Sequence, residues 1–491
     1  MTRPLGMLGA AALRQLLLAA LCASSAHAAT TAPPSEASRD VVPRALALAL
    51  ERLHRAPSGR DTRERLAMGI PSYSRQTKLA CSACHYQFFQ LTPFGRLFKL
   101  NGYTLTGLQS IEERAPSDTS RRELQLSPIP LVSAMAIASV TNVRSRLPGT
   151  QNNTTTFPDQ LSIFLGGEIT PRIGVFSQFT YAAPDASVGI DNVDIRFANR
   201  ATIGKRGLLY GITLHNNPTV QDVWNTVPAW GYPYVSSPVA PSPAASALID
   251  GPLGQQVIGL GAYGLWSNTL YTEFTAYRSA PQGGAQPADA SAENTTRGII
   301  PYWRVALQRQ IGRSYLMIGS YGFAARLFPT GVSGPTDRYT DVAGDAQIEQ
   351  PIGRGVLIAR STYIHEHQRL DALADAETPG AANRTNDLNT FRVNATYEPS
   401  LRAALSIGYF DITGSRDTLL FAPAPVTGSA NGRPNSNGLI GELDINPWEN
   451  TRLGAQYVWY NRFNGSTSAY DGSGRDASRN NTLYLFTWLA F

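Results

Sequence analysis

From about residue 124 to the end, apolar and polar residues alternate one by one in short runs, the period of a strand with one face in an apolar medium. Val193, Ile195 and Phe197 alternate with Asn192, Asp194 and Arg196. Phe391, Val393, Ala395 and Tyr397 alternate with Arg392, Asn394, Thr396 and Glu398, and Leu453, Ala455, Tyr457 and Trp459 with Arg452, Gln456, Val458 and Tyr460. About sixteen such runs begin near residues 126, 160, 172, 190, 207, 257, 269, 299, 314, 337, 355, 387, 401, 437, 452 and 482. Their connections are unequal. Short turns such as Thr170-Pro171-Arg172, Ile311-Gly312-Arg313, Glu398-Pro399-Ser400 and Pro447-Trp448-Glu449-Asn450 are interleaved with long polar loops near 141–157, 216–256, 279–297, 326–336, 368–386, 414–436 and 464–481. An even number of strands with short turns at one end and long loops at the other predicts an outer-membrane barrel over 124–491, both ends of which lie on the periplasmic side. On the last strand Leu483, Leu485, Thr487, Leu489 and the terminal Phe491 share one face.

The N-terminal part has a different texture. Arg3 and Arg14, the apolar run Leu16 to Ala23 and the small-x-small Ala26-His27-Ala28 make residues 1–28 a secretory signal. Residues 30–43 are rich in Pro, Ser, Thr and Ala, a composition that favours disorder. Helix-like stretches follow at Arg44 to Arg55 and at Leu91 to Gly102.

Between those stretches stands Cys81-Ser82-Ala83-Cys84-His85. Two cysteines spaced for the vinyl groups of a haem, with a histidine directly after, are the attachment signature of haem c. Cys81 and Cys84 form the thioethers, and His85 is the proximal ligand of the iron. A thioredoxin-like motif needs a neighbouring βαβ pattern, a zinc site needs a fourth ligand, and a disulfide across two residues is strained. None of these fits. Cys22 falls in the signal, so no other cysteine remains in the mature chain.

Residues 29–123 therefore read as a small, largely α-helical haem segment carrying one haem c. Neither Met nor His occurs between His85 and the first strand. The distal axial ligand comes from Met68 or His54 upstream, from His215, Met135, Met317, His365 or His367 in the barrel, or the sixth position is open.

Without Arg3 and Arg14 of the signal the formal charge of +6 becomes +4; residues 29–125, with 14 Lys+Arg against 9 Asp+Glu, carry +5, and the barrel is close to neutral. In an exported chain such an excess faces haem propionates or an acidic partner rather than nucleic acid. No mature stretch reaches the ~20 apolar residues of a membrane helix. Fewer than ~80 residues bury a haem poorly, and the apolar band of a barrel is about 25 Å tall. Both constraints are met if the haem segment plugs the lumen and the barrel wall completes its pocket.

The loop at 216–256 contains Trp224, Trp230, Tyr232 and Tyr234 among prolines, and it either folds inward above the haem or packs on the rim. Strand parity turns Glu168, Asp194, Glu273, Asp345, Glu398, Glu442 and Asp444 inward, where they alternate with Arg196, Arg304 and Arg392 as a salt-bridged lining. His365 and His367 share a face with Tyr363.

Arg75-Gln76-Thr77, the motif at 81–85, Phe88 and Phe89, Phe94-Gly95-Arg96, Phe98-Lys99 and Gly102-Tyr103-Thr104, all ahead of a barrel, resemble the fused outer-membrane cytochrome-porins. The resemblance is architectural over the whole chain and specific over about 73–104, with Lys78 where a small residue is expected. It implies an Fe(II):cytochrome c oxidoreductase, with electrons passing from extracellular Fe(II) to a periplasmic electron carrier. The residues themselves also admit a diffusion porin with a structural or sensory haem, and a haem peroxidase.

Overall fold

The computed structural model describes residues 71–106, 131–182, 187–226, 231–232, 234–280, 294–329 and 331–491. The signal at 1–28, His54, Met68 and the junction near 124 lie outside them, as does Trp230. All described residues belong to one compact unit.

Sixteen antiparallel strands close in sequence order, each paired with its chain neighbours and the first with the last. They are β1 (Val132–Val143), β2 (Thr154–Thr170), β3 (Ile173–Ala182), β4 (Ser187–Ile203), β5 (Arg206–His215), β6 (Val257–Trp266), β7 (Leu270–Ser279) and β8 (Ile300–Ile311), then β9 (Ser314–Leu327), β10 (Asp337–Ile352), β11 (Gly355–Arg369), β12 (Thr385–Ser400), β13 (Ala403–Gly414), β14 (Ser436–Trp448), β15 (Thr451–Arg462) and β16 (Thr482–Ala490). Closure is made by Met135 opposite Ala490 through Val143 opposite Thr482. It extends to the C-terminus, where the Phe491 and Ala134 backbones exchange two hydrogen bonds.

The alternation does what the sequence predicts. Along β8, Trp303, Val305 and Leu307 face outward and exposed while Tyr302, Arg304 and Ala306 are buried inside. Ile258 and Leu260, Leu405 and Ile407, and Leu483, Leu485 and Leu489 extend this apolar belt around the wall. No described helix is long and apolar enough to cross a membrane. The strands cross it instead, because a closed barrel satisfies every backbone group without water. This is an outer-membrane barrel. Its short turns repeat one device: Ile203 pairs with Arg206, Ile311 with Ser314 and Ile352 with Gly355, each around two residues beginning with a glycine at φ near 60°. A glycine in that first position makes the hairpin turn whose twist matches the strands.

The described part of the N-terminal segment, 71–106, lies inside the barrel. It contains α1 (Ser72–Thr77), α2 (Cys81–Cys84) and α3 (Pro93–Leu100). Thr92 caps α3 by accepting from the Gly95 N–H at 3.0 Å, and Pro93 fills the first turn. The helix stops at Gly102, φ +73°, where Tyr103 N donates to Phe98 O and Gly102 N to Lys99 O. This pair of bonds requires a left-handed residue between them, which is the use of glycine there. Lys78 has φ +58° at the end of α1, which explains why a small residue is expected at that position.

Polar anchors fix this plug near the short-turn end. Ser72 and Gln76 donate to Gly166 O, and Tyr73 to Val175 O at 2.6 Å. Tyr103 donates to Asp194 at 2.6 Å, and Tyr263 to Leu100 O at 2.7 Å. Opposite them, Arg96 pairs with Glu349 at 2.6 Å with both side chains 3% exposed, and Tyr86 donates to the same carboxylate. Gly174 admits the plug where any Cβ would run into the Gly102 carbonyl.

Of the carboxylates assigned to the lumen, Asp194, Glu273, Asp345, Glu398, Glu442 and Asp444 are buried there. Asp194 pairs with Arg196, Asp345 with Arg304, and Glu442 and Asp444 with Arg452. Glu168 is the exception and is exposed. Its parity is inward, but it sits past Gly166 and Gly167 beside the irregularity at the β2–β3 turn, beyond the filled part of the lumen.

Replacing Glu349 with Ala leaves Arg96 buried without a carboxylate and removes the Tyr86 anchor. Breaking a buried pair from one side is expected to cost about 3–5 kcal/mol, measured as a lowered denaturant midpoint for Glu349→Ala.

Candidate functional site

Helix α2 is a single turn, and the His85 N–H donates to Cys81 O at 2.9 Å, so both thiols and the imidazole leave one compact piece of backbone. After it the chain doubles back. His85 bridges to Leu91, Tyr86 N donates to Gln90 O, and Phe89 takes φ +74° at the bend. Thr92 closes the return: its N–H donates to Cys84 O at 2.9 Å and its hydroxyl to Ala83 O at 2.7 Å. Helix α3 then crosses directly against α2. A Cβ at Gly95 would overlap the Cys84 carbonyl, so only glycine permits this approach.

Cys81, Cys84 and His85 line one cavity together. Its empty space, counted together with the open solvent at its mouth, is about 1360 Å³. The plug supplies Tyr73, Phe88, Phe89, Phe98 and Tyr103, and the barrel wall supplies Phe164, Phe176 and Trp488. The His85 ring stacks on Phe88 at 5.2 Å, and Phe88 rests on Trp488 at 4.1 Å. The aromatic wall thus fixes the imidazole plane.

Burial sets the charge states. It lowers His85 to about 4, which leaves the ring neutral and able to ligate at pH 7, and raises the Cys84 thiol to about 12. Lys99 lines the same cavity and is lowered to about 8, first by burial and then by Arg196; its ammonium donates to Val220 O.

These residues fit a covalently attached haem. The two thiols are unpaired, the imidazole is neutral, and its Nδ1 is buried without a partner. The lining is mainly aromatic and aliphatic. No methionine and no second histidine lines the cavity among the described residues. His215 is bonded to Tyr277 at 2.7 Å, and Met135 and Met317 are packed in apolar clusters. His365 and His367 stand on the outer face about half exposed, His367 against Asp387 at 2.8 Å. None of these five reaches the cavity.

The loop between β5 and β6 folds inward, as one of its two expected placements has it. It starts with α4 (Pro218–Gln221). Asn225 donates to Phe89 O at 2.8 Å, Trp224 to Tyr315 at 2.8 Å, and Thr226 to Asp345 at 2.5 Å. Further on, the Ile249 N–H donates to Asp341 and the Leu248 N–H to Glu366. The loop lies over the plug and divides the lumen. Asn225 lines the inner cavity; its neighbour Thr226 lines a second, outer one of about 1520 Å³.

Sequence reasoning missed the wall residues. Inward parity could have marked Trp488, whose neighbours Thr487 and Leu489 point to lipid, but the pairing of Arg96 with Glu349 across 253 residues leaves no local signal.

No family model and no curated protein matches the sequence. Among solved structures the chain is similar to OmpF of Salmonella typhi in complex with daunomycin (10% identity, 73% of this chain and 97% of that one, TM-score 0.42). It is also similar to the outer-membrane channel DcaP of Acinetobacter baumannii (12%, 73% and 96%, TM-score 0.41). OmpT of Vibrio cholerae is a third (11%, 73% and 97%, TM-score 0.39).

Gly95→Val forces α2 and α3 apart. Overpacking of this kind is expected to cost about 1–3 kcal/mol; the checks are a lowered melting temperature and a weakened near-ultraviolet signal from the aromatic lining.

Proposed function

We propose that this chain is a mono-haem outer-membrane cytochrome that carries electrons across the membrane, from extracellular Fe(II) to a periplasmic carrier. The observation that carries the reading is the convergence of Cys81, Cys84 and His85 on one apolar cavity walled jointly by plug and barrel. A haem held there supplies one-electron chemistry. Cys81 and Cys84 would bind it, and neutral His85, its ring stacked on Phe88, would offer a ring nitrogen to the iron. Phe164, Phe176 and Trp488 exclude water and membrane solutes. Arg96, Tyr86 and Gln87 hold the attachment loop to Glu349 and Asp444, which fixes its distance from the periplasmic rim. Iron as donor rests on the resemblance of residues 73–104. Met68 and His54, both outside the described residues, would be the chain's candidates for a second ligand.

The closed barrel and its outer cavity favour a second reading, a diffusion porin with a structural haem. The buried, paired anchors of the plug weigh against it, because a solute path past them requires breaking several at once.

Anaerobic Fe²⁺ mixed with purified protein is expected to raise the reduced α band within the stopped-flow range. Cys81→Ala with Cys84→Ala should lose covalent haem on a denaturing gel, and His85→Ala should keep it with a shifted spectrum. Ready reduction by dithionite but none by Fe²⁺ at any pH from 4 to 7 would remove iron as the donor. Steady ion conductance of the intact protein in planar bilayers would favour the porin.

A further inference from the structure

The outer cavity is lined by a buried arginine that has no carboxylate at ion-pair distance among the described residues. Its ionisable lining, tyrosines aside, is Arg360, Arg392 and Asp250. Asp250 pairs with Arg392. Arg360 is 4% exposed and has no carboxylate partner among the described residues; one Nη donates to Asn225 O at 3.1 Å and the guanidinium lies 5.1 Å over the Tyr234 ring. Its Nε is buried with no hydrogen bond, as are Arg392 Nη1, the Asn394 amide oxygen and the Tyr232 hydroxyl. A buried guanidinium left uncompensated is unfavourable by several kcal/mol, and every other deeply buried lumen arginine of β4, β8 and β15 has its carboxylate. Of the atoms without a hydrogen bond, the two guanidinium N–H groups and the Tyr232 hydroxyl are free donors, while the Asn394 oxygen only accepts. Arg360 stands opposite Asn394 in the register of β11 and β12, and Arg392 is two residues along, a diagonal neighbour on the same face at roughly 7–8 Å. Ser236, Ser237 and Thr362 add hydroxyls to the lining.

We propose that this cavity binds a small carboxylate-type oxyanion between Arg360 and Arg392, and that Fe(II) is taken up there as an anionic organic-acid chelate rather than as the aquo ion. The anion site stands on the geometry alone; its use for iron deepens the donor reading above and rests on it. In that use Fe(II) in the chelate is oxidised to Fe(III), one electron passes inward to the periplasmic carrier, and the Fe(III) chelate leaves by the outer mouth. No proton or ligand need be exchanged. One stretch of chain separates the two cavities: Thr226 lines the outer one and its neighbour Asn225 the inner. The outer cavity reaches Thr482 and Tyr460, at the long-loop ends of β16 and β15.

The test is isothermal titration of citrate into the full-length protein in detergent, with chloride holding ionic strength constant and inorganic phosphate as a second probe. Saturable one-site binding of citrate is expected. Arg360→Gln should weaken it roughly tenfold or more, the loss of a hydrogen bond to a charged group, and Arg360→Lys should restore part. Absence of citrate binding to the unaltered protein, or binding undiminished in Arg360→Gln, overturns the site; phosphate bound with citrate excluded overturns the carboxylate assignment. Stopped-flow reduction by Fe²⁺ with and without citrate separates this from the donor reading. Citrate binding with no reduction by either form upholds the site and removes iron. Reduction by aquo Fe²⁺, unchanged by citrate in a protein that binds none, upholds iron and removes the site.

Discussion

Sixteen strands closed into a ring enclose a space that their own side chains cannot fill. At about eight strands the inward residues meet in the middle; at sixteen they leave a water-filled channel. Everything inside this barrel answers that mismatch. The N-terminal segment and the β5–β6 loop enter from opposite ends, and each brings apolar surface that neither could bury alone. Phe88, Phe89 and Val235 form one core with Met135, Phe486 and Trp488 of the wall, while Leu97 and Leu100 form another with Trp224, Tyr263 and Met317. The described apolar residues of the plug join cores that the wall completes. The plug's pocket exists because the wall does.

A lumen built for water is lined with charge, and filling it turns that lining into a set of buried groups that must be satisfied. The structure meets this by giving the filler polar tips that match the wall. Tyr103 reaches Asp194, which also holds Arg196 and Thr213. Thr226 reaches Asp345, which also holds Arg304. Gln87 reaches Asp444, which also holds Arg452. In each case an acid–base pair on the wall accepts one further donor from the filler. Such triads bring specificity more than stability, since a shifted plug or loop would lose its own donor bond while the wall pair stayed intact. They fix the height at which Cys81, Cys84 and His85 sit.

This division explains what was legible in the sequence. Strand alternation is local, so the runs beginning near 314, 337 and 355 match β9, β10 and β11 to the residue, and the glycine-led turns were readable from two positions. The Cys81–His85 motif is contiguous, and its three side chains line one cavity. Inward parity sorted six of the seven carboxylates, and it failed at Glu168 because parity says nothing of where the filled lumen ends. The partners of those carboxylates were not legible. Glu349 meets Arg96 and Tyr86 only after ten strands have closed, and no spacing in the chain records it. The same holds for the loop: its aromatic run declared that it wanted burial, but whether at the rim or in the lumen depended on Asp341, Asp345 and Glu366, far along the chain.

The residues that belong to no triad are therefore informative. Arg196, Arg304 and Arg452 are each held by wall acids, and that is what a lining evolved only to be filled looks like. Arg360 has the same burial and the same inward parity, yet it receives from the filler a carbonyl and an aromatic face rather than a carboxylate. The filler also stops short of it, leaving an outer space of about 1520 Å³ beside it. An unmatched cation beside an unfilled volume is difficult to explain as packing, because either fault alone could be removed by one substitution. Together they describe a binding site. It lies on the outer side of the single stretch of loop, Asn225-Thr226, whose inner side forms part of the Cys81–His85 cavity, so a ligand held by Arg360 and a group held by His85 would face each other across one layer of chain.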